Sequence, residues 1–273
     1  MAIGINKTSS LAARINADKH DNKLKKSLNQ LSSGLRINSA ADDASGLAMS
    51  ESMRSQIRSF TVAERNTFDG VSIAQTAEGA MGGMGDVLGR MRELAMQSSN
   101  GSLNDNQRGF IDAEFSQLQE ELTRIQESSE FNGVSVAGSA TSDISVQAGL
   151  SDSASDQITV SVGGLDMSNV VAASTGVGSA GGALAALGQI DAAIESVSTS
   201  RANVGASINR LDVAGNNIQD MRQNLVAAES RIRDADIAGA ASDAAGAQIR
   251  REVGVAVQAQ ANMLPQQIYQ LLE

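Results

Sequence analysis

Alternating steps of three and four residues from Leu187 reach Ile232 in fourteen positions, and ten of these are Leu, Ile or Val. Only Arg201, Gly215, Arg222 and Glu229 interrupt the series. This spacing places one apolar stripe along a helix. About 45 residues of helix run for roughly 68 Å at 1.5 Å per residue, longer than a compact domain of this chain requires. Such a stripe is stable only if other long stripes face it, because each Leu or Ile contributes about 1.5–3 kcal/mol only when buried.

The partners are present upstream. Ala77, Met81, Met84, Leu88, Met91 and Ala95 repeat at 4-3-4-3-4, and Ile111, Phe115, Leu118, Leu122 and Ile125 at 4-3-4-3. Between them, Asn100-Gly101 signals a turn and Ser102-Leu-Asn-Asp105 reads as a capping box. A short connection between matching stripes predicts an antiparallel helical hairpin. Its first helix is expected to start at Ser39-Ala-Ala-Asp42, a second capping-box pattern, and to run to Ser99. Gly82, Gly83, Gly85 and Gly89 lie inside it, and each costs a helix about 0.8–1 kcal/mol relative to Ala. They predict either a close approach of neighbouring helices or local softness.

The two ends carry further stripes. Leu24, Leu28, Leu31 and Leu35 fall at 4-3-4 on a helix expected from Ser9 to Ser33, with Gly34 as its stop. Ile249, Val253, Val257, Ala261, Leu264, Ile268 and Leu271 share one side of a last helix expected from Ala240 to Leu272. Each end has the only stripe left for the other, so the ends are expected to pair. Two helices alone are marginal, and both ends are expected to be poorly ordered until copies of the chain cover them. Pro265, the sole proline, removes a backbone donor from the last helix and predicts a kink or a frayed end.

From Phe131 to Ala180 the character changes. Gly, Ser, Thr and Asp rise, and alternating runs at Ile144-Ser-Val-Gln147 and Ile158-Thr-Val-Ser-Val162 predict a small β-hairpin region with Gly163-Gly164 in a turn. The expected fold is therefore mainly α: an elongated antiparallel helical bundle or coiled coil, with paired terminal helices and a β-hairpin region in the middle. The corresponding division is 1–38 with 238–273, 39–130 with 181–237, and 131–180.

Composition agrees with thin apolar seams and narrows the chemistry. Five Phe, one Tyr and no Trp leave little aromatic bulk for a rounded core. A formal charge of −10, with no basic block, argues against nucleic acid and anionic membrane as partners. No apolar run approaches the roughly 20 residues of a membrane span, and the N-terminal residues lack the pattern of a cleaved secretory signal. The absence of Cys removes disulfides, thiolate chemistry and cysteine metal sites. His20, the single histidine, sits between Lys19 and Asp21 and reads as part of a solvated face; no His-Glu-x-x-His string exists. Asp42-Asp43 reads as helix capping and Asp234 with Asp236 as charged surface, in preference to a cation or acid–base pair. The string Gly79-Ala-Met-Gly-Gly-Met-Gly85 lacks the Lys-Ser/Thr ending of a phosphate loop. No enzyme activity, cofactor or metal is expected.

Several local strings carry a resemblance. Leu31-Ser-Ser-Gly-Leu-Arg-Ile-Asn38, Asp42-Asp-Ala-Ser-Gly-Leu47, Asp69-Gly-Val-Ser-Ile-Ala-Gln-Thr-Ala-Glu-Gly79, Arg90-Met-Arg-Glu-Leu-Ala95, Phe131-Asn-Gly-Val134, Glu229-Ser-Arg-Ile-Arg-Asp-Ala-Asp236 and Gln258-Ala-Gln-Ala-Asn262 with Pro265-Gln266 resemble bacterial flagellin. They cover nearly everything outside 138–180. The resemblance implies a structural subunit that is exported unfolded through the flagellar secretion channel and polymerises at the distal tip into the flagellar filament for motility. It further implies an export chaperone, a cap, hook-junction proteins and co-assembling flagellins as partners. The terminal helices would line the filament interior, with the long bundle as the tube around them. The short middle, about forty residues in place of the large variable domains common in the family, implies a minimal core-only form.

The same resemblance places Arg90, Leu94 and Glu114 on a surface that packs against the next subunit and that an innate immune Toll-like receptor recognises. Gly89 stands where receptor-stimulating flagellins have a longer polar side chain. The stripes Leu24, Leu28, Leu31, Leu35, Ile249, Val253, Val257, Leu264, Ile268 and Leu271 would be the polymerisation surfaces. A hook–filament junction protein is the alternative reading, since such proteins resemble flagellin in their terminal helices. Asp43-Ala-Ser-Gly-Leu47 and Met53-Arg-Ser-Gln-Ile-Arg58 are similar to spirochete strings, which leaves both a secreted extracellular filament and a periplasmic one open.

Overall fold

The computed structural model describes residues 2–172 and 175–271, and the side chains of residues 11–260 within that range together with Met263. The elements are α1 (Ala2–Ser33), α2 (Ala44–Ser98), α3 (Asp105–Ser128), β1 (Glu130–Phe131), β2 (Val134–Ser135), β3 (Thr141–Gln147), β4 (Gln157–Gly163), α4 (Ser168–Val171), α5 (Ala180–Arg233) and α6 (Ile237–Leu271). The chain is mainly helical with a small antiparallel sheet region, as its stripes predict. It divides into two compact units, residues 1–57 with 223–273, and residues 58–222.

In the unit formed by 58–222, the predicted stripe of α2 is the core. Ala77, Met81, Met84, Leu88, Met91 and Ala95 are all fully buried, against Phe115 and Leu122 of α3. From α5 the large buried aliphatic side chains are Ile190, Val197, Val204, Leu211 and Ile218, seven residues apart, with Ala183, Ala186 and Ala193 buried beside them. A strict seven-residue repeat keeps one seam facing its partner, as in a coiled coil. Arg92 pairs with Asp191 at 2.6 Å, Glu78 with Arg201 at 3.9 Å and Glu64 with Arg222 at 3.4 Å. Numbers fall on α2 as they rise on α5, so these helices run antiparallel. Arg201 and Arg222, which interrupt the apolar series, are thus ion-pair partners of α2. Gly215, a third interruption, faces Thr67, whose Cγ2 would lie 3.5 Å from an added Cβ.

The sheet region packs onto this seam. β3 and β4 pair antiparallel from Thr141↔Gly163 to Gln147↔Gln157, and Val146, Ile158, Val160 and Val162 are buried. Gly70 makes the approach feasible: a Cβ there would stand 2.8 Å from Val146 Cγ2 and 3.2 Å from Leu211 Cδ1. Gly163 and Gly164 are not the hairpin turn. They leave the end of β4 with φ of +77° and +70°, and a Cβ on Gly163 would meet the Ala140 carbonyl at 2.5 Å. The connection between the strands is residues 148–156, which ends in a short 3-10 turn at Ala154–Asp156. A strap after β4 buries Leu165, Met167, Val170 and Val177. Gln126 donates to the Leu165 carbonyl, and Gln119 to those of Val170 and Thr175.

Two expected helix starts are displaced. α2 begins at Ala44, where Asp43 Oδ1 accepts from the Gly46 amide at 2.9 Å and from Ser45 Oγ at 2.8 Å. The Ser39–Asp42 pattern instead closes a turn, with Asp42 Oδ2 accepting from the Ser39 amide at 3.2 Å. At α3 the box is Asn104 with Gln107, whose side chains and backbone amides bond reciprocally at 2.9 and 3.1 Å. In both places several Ser, Asn and Asp residues could cap, and the register of the buried stripe selects among them. The first helix extends further toward the N-terminus than expected, and α6 continues through Pro265.

Candidate functional site

In the unit formed by 1–57 and 223–273, α1 and α6 pack side by side. An added Cβ on Gly254 would lie 3.6 Å from Ala17 Cβ, Arg251 meets Asp21 at 3.6 Å, and Leu24 packs on Ala247 and Ala244. α6 numbers fall as α1 numbers rise, so the pair is antiparallel. Lys23 and Asp243, 3.0 Å apart, flank the seam.

The pairing of the ends matches expectation, but the face does not. α6 turns its small residues Ala240, Ala244 and Ala247 inward, all buried. Ile249, Val253 and Val257 point away from α1 and are 62%, 56% and 52% exposed. On α1, Leu24 is buried and Leu31 partly buried against the seam, whereas Leu28 is exposed. Leu35 lies beyond the helix, half-buried, in a bridge with Asp234. Small side chains let two helix backbones approach closely, which leaves the bulkier aliphatic residues on the outside. Leu264, Ile268 and Leu271 lie outside the residues whose side chains are described. Leu11 and Ile15 add exposed aliphatic surface to α1.

A backbone clamp closes the same unit. Gly34, with φ of +71°, ends α1, and its carbonyl accepts from the Ala235 amide at 2.9 Å. The Arg36 amide donates to the Arg233 carbonyl at 2.6 Å, and its guanidinium reaches the Ile232 carbonyl at 2.6 and 3.2 Å, capping the C-terminal end of α5. Arg233, 8% exposed, pairs with Glu51 at 2.8 Å, and this guanidinium holds the Glu51 carboxyl below its ordinary range. Lys26 lies 3.1 Å from Asp42 and, with the Ser39 amide, lowers that carboxyl. The Gly46 amide lowers Asp43. Asp236, read from sequence as charged surface, caps α6 by accepting from the Ala238 and Gly239 amides at 3.0 and 3.1 Å. Its position three residues after α5 ends and immediately before α6 begins was the available signal.

In the other unit, Arg90 and Glu114 meet on the surface where α2 faces α3, with Glu93 on the far side of the guanidinium at 2.9 Å. Glu114, then Glu93, raise the Arg90 pKa. Leu94 does not share this surface: it is 2% exposed and belongs to the core. Its step of three from Met91 places it on the buried side of α2. Phe110, one turn before Glu114, is 78% exposed. Gly82, Gly85 and Gly89 meet nothing within 4 Å, and Gly83 meets only Ile125 Cδ1 at 3.9 Å. Close packing inside the subunit therefore does not account for these glycines.

Among the described residues there is no group of three His, Asp or Glu side chains placed to hold a metal, and no helix is long and apolar enough to cross a membrane. The exposed helix faces present aliphatic surface and ion pairs, which suit protein–protein packing.

Two family descriptions match the chain: the bacterial flagellin N-terminal helical region over residues 5–141, and the bacterial flagellin C-terminal helical region over residues 187–272. A flagellin of Halalkalibacterium halodurans is 39% identical over 251 residues, 92% of each chain. The flagellar filament 30.7 kDa core protein of Treponema maltophilum is 38% identical over 290 residues, the whole of both chains. Among solved structures, Bacillus cereus flagellin aligns with a TM-score of 0.50 at 32% identity, covering 60% of this chain and 94% of its own. A putative flagellar hook-associated protein from Vibrio parahaemolyticus aligns with a TM-score of 0.61 over 71% of this chain and 100% of its own. At 13% identity, that last likeness is one of fold alone. With both terminal regions matched and relatives aligned along nearly the full length, this chain belongs to the bacterial flagellin family.

Proposed function

We propose that this flagellin is a structural subunit of the flagellar filament and that it polymerises by coupled folding and association of its terminal helices. The observation that carries the reading is the outward stripe Ile249, Val253 and Val257, more than half exposed on a helix already paired through its opposite, alanine-lined face. Burying each such side chain contributes about 1.5–3 kcal/mol, and with α1 occupied on the small-residue face, a second copy is the surface that can supply the burial. Leu28, Leu11 and Ile15 give α1 exposed aliphatic surface of its own.

In this reading residues 1–38 and 238–273 line the filament interior, 39–130 and 181–237 form the tube, and 131–180 lies outermost. Arg90, Glu114 and the exposed Phe110 make an axial contact with the next subunit, and the same surface is the one a Toll-like receptor would meet. Leu94 supports that surface from beneath. Family membership supports export through the flagellar secretion channel, an escorting chaperone, a cap and hook-junction proteins as partners, and a place in the flagellum outside the cytoplasm. The H. halodurans and T. maltophilum relatives, named as a flagellin and a filament core protein, favour the filament over the hook–filament junction.

Amide hydrogen exchange before and after polymerisation tests the mechanism. Backbone amides of α1 and α6 should exchange quickly in the free subunit and become protected in the polymer, while those around Met84 and Leu88 stay protected throughout. Equal protection of α6 in both states would overturn coupled folding.

A further inference from the structure

The chain has two Asn–Gly pairs, Asn100–Gly101 and Asn132–Gly133, and the fold treats them differently. Asn100 is exposed in the turn between α2 and α3. Its side-chain Oδ1 accepts a hydrogen bond from the Ser102 amide at 3.1 Å, which polarises the carboxamide carbon and gives a donor to an oxyanion forming there. The Gly101 N–H donates to no protein acceptor among the described residues. Nothing lies within 4 Å of the position a Cβ would occupy on Gly101 or on Gly133, so space for a ring exists at both and the contrast rests on the backbone around them. A nucleophilic nitrogen, a polarised electrophile and free space are therefore adjacent.

Asn132 and Gly133 have φ of +51° and +79° and form the tight turn between β1 and β2, where Phe131 pairs with Val134 and Glu130 with Ser135. Swinging the Gly133 nitrogen toward the Asn132 side chain rotates their shared peptide out of that turn and breaks the strand pairing on both sides of it. The Asn100–Gly101 peptide, by contrast, is held only through its carbonyl, by the Leu103 amide at 3.3 Å and Arg108 at 2.9 Å, and no strand pairing depends on it.

We propose that Asn100 is a site of spontaneous deamidation, and that the fold directs this chemistry to Asn100–Gly101 while shielding Asn132–Gly133. The Gly101 nitrogen gives its proton to hydroxide and attacks Cγ of Asn100. The Cγ–Nδ2 bond breaks, the leaving nitrogen takes a proton from water, and ammonia departs, leaving a five-membered succinimide. Water then adds to one of the two ring carbonyls and opens the ring to aspartate or isoaspartate; nothing is oxidised or reduced. The product places a carboxylate at the C-terminal end of α2, the unfavourable end for a negative charge. The isoaspartyl form also lengthens the main chain where Arg108, largely buried, donates to the Ser98 and Asn100 carbonyls at 3.1 and 2.9 Å. An unrepaired subunit thereby acquires a charge and a weakened turn as it ages.

The test holds the full folded chain at mildly alkaline pH and follows both sites by peptide mapping, with the same chain in concentrated urea as reference. Asn100 should convert several-fold faster than Asn132 in the folded chain, to a mixture of aspartyl and isoaspartyl products, and urea should close that gap. Gly101→Ala places its methyl in open space and keeps the fold, yet crowds the attacking nitrogen. It should slow conversion at Asn100 several-fold and leave Asn132 unchanged. Conversion at Asn132 equal to or ahead of Asn100 in the folded chain, no conversion at Asn100, or a gap that urea leaves intact would each overturn the proposal.

Discussion

Arg90 grips one carboxylate oxygen of Glu114 through two nitrogens, Nε at 3.0 Å and Nη2 at 2.7 Å, joining α2 to α3 across their surface. Both side chains are about half exposed, so water and salt screen the pair. Replacing both residues with Ala should leave the urea midpoint of the free subunit nearly unchanged. If the pair belongs to a subunit contact, the double variant should assemble slowly or not at all in a seeded light-scattering assay. Unimpaired assembly would remove Arg90 and Glu114 from the contact.

The glycines of α2 give a sharper contrast. Gly82, Gly85 and Gly89 face open space within the subunit, so each change to Ala should stabilise the free chain by about 0.8–1 kcal/mol, read from urea unfolding. A variant more stable as a monomer yet defective in filament growth would show that the bare helix surface is reserved for a neighbouring copy.

Core and stripe substitutions should separate in the opposite sense. Leu88 is fully buried, and Leu88→Ala should cost about 2–5 kcal/mol in the free subunit. Ile249 is 62% exposed, so Ile249→Ala should leave the free subunit's unfolding midpoint almost unmoved while weakening polymerisation. A large loss of monomer stability from Ile249→Ala would mean that this side chain is covered within the subunit.

Acid should loosen the clamp at residues 34–43. Asp42 is lowered by Lys26 and the Ser39 amide, and Asp43 by the Gly46 amide and Ser45. A depressed carboxyl contributes stability that is fully present above its unfolded value, near 3.8, and is lost as pH falls through the lower folded value. Carboxyl NMR titration should place the Asp42 midpoint below 3.8, and Lys26→Met should raise it. A midpoint indifferent to Lys26 would contradict the assignment of cause.

Much of this architecture is legible from residue spacing. The stripes of α2, α3 and α5 fix which faces are buried because a seven-residue repeat admits one seam. The two arginines that break the α5 stripe made sense only with Glu78 and Glu64 placed opposite them, which spacing alone cannot supply. Leu94 was misplaced for a related reason: beside Arg90, it reads as surface by motif, whereas its step from Met91 already put it on the core side. At the ends, the large aliphatic residues of α6 look like the natural face for α1, yet the alanine face packs closer. Which of two apolar faces a helix uses depends on the partner's shape as well as on its own sequence. Capping by the Asp42-Asp43 pair was legible, with Asp43 the one that starts α2, whereas Asp236 was hidden because Asp234 beside it reads equally well as surface charge.

Whether the terminal helices drive assembly is decided by electron microscopy of seeded growth, comparing the full chain with variants lacking α1 or α6. In the proposed assembly the terminal stripes lose their exposure only when copies stack. The full chain should extend seeds into hollow helical tubes, and each truncated variant should stay a soluble, helical monomer. Tubes formed by a chain without α1 or α6 would contradict the account.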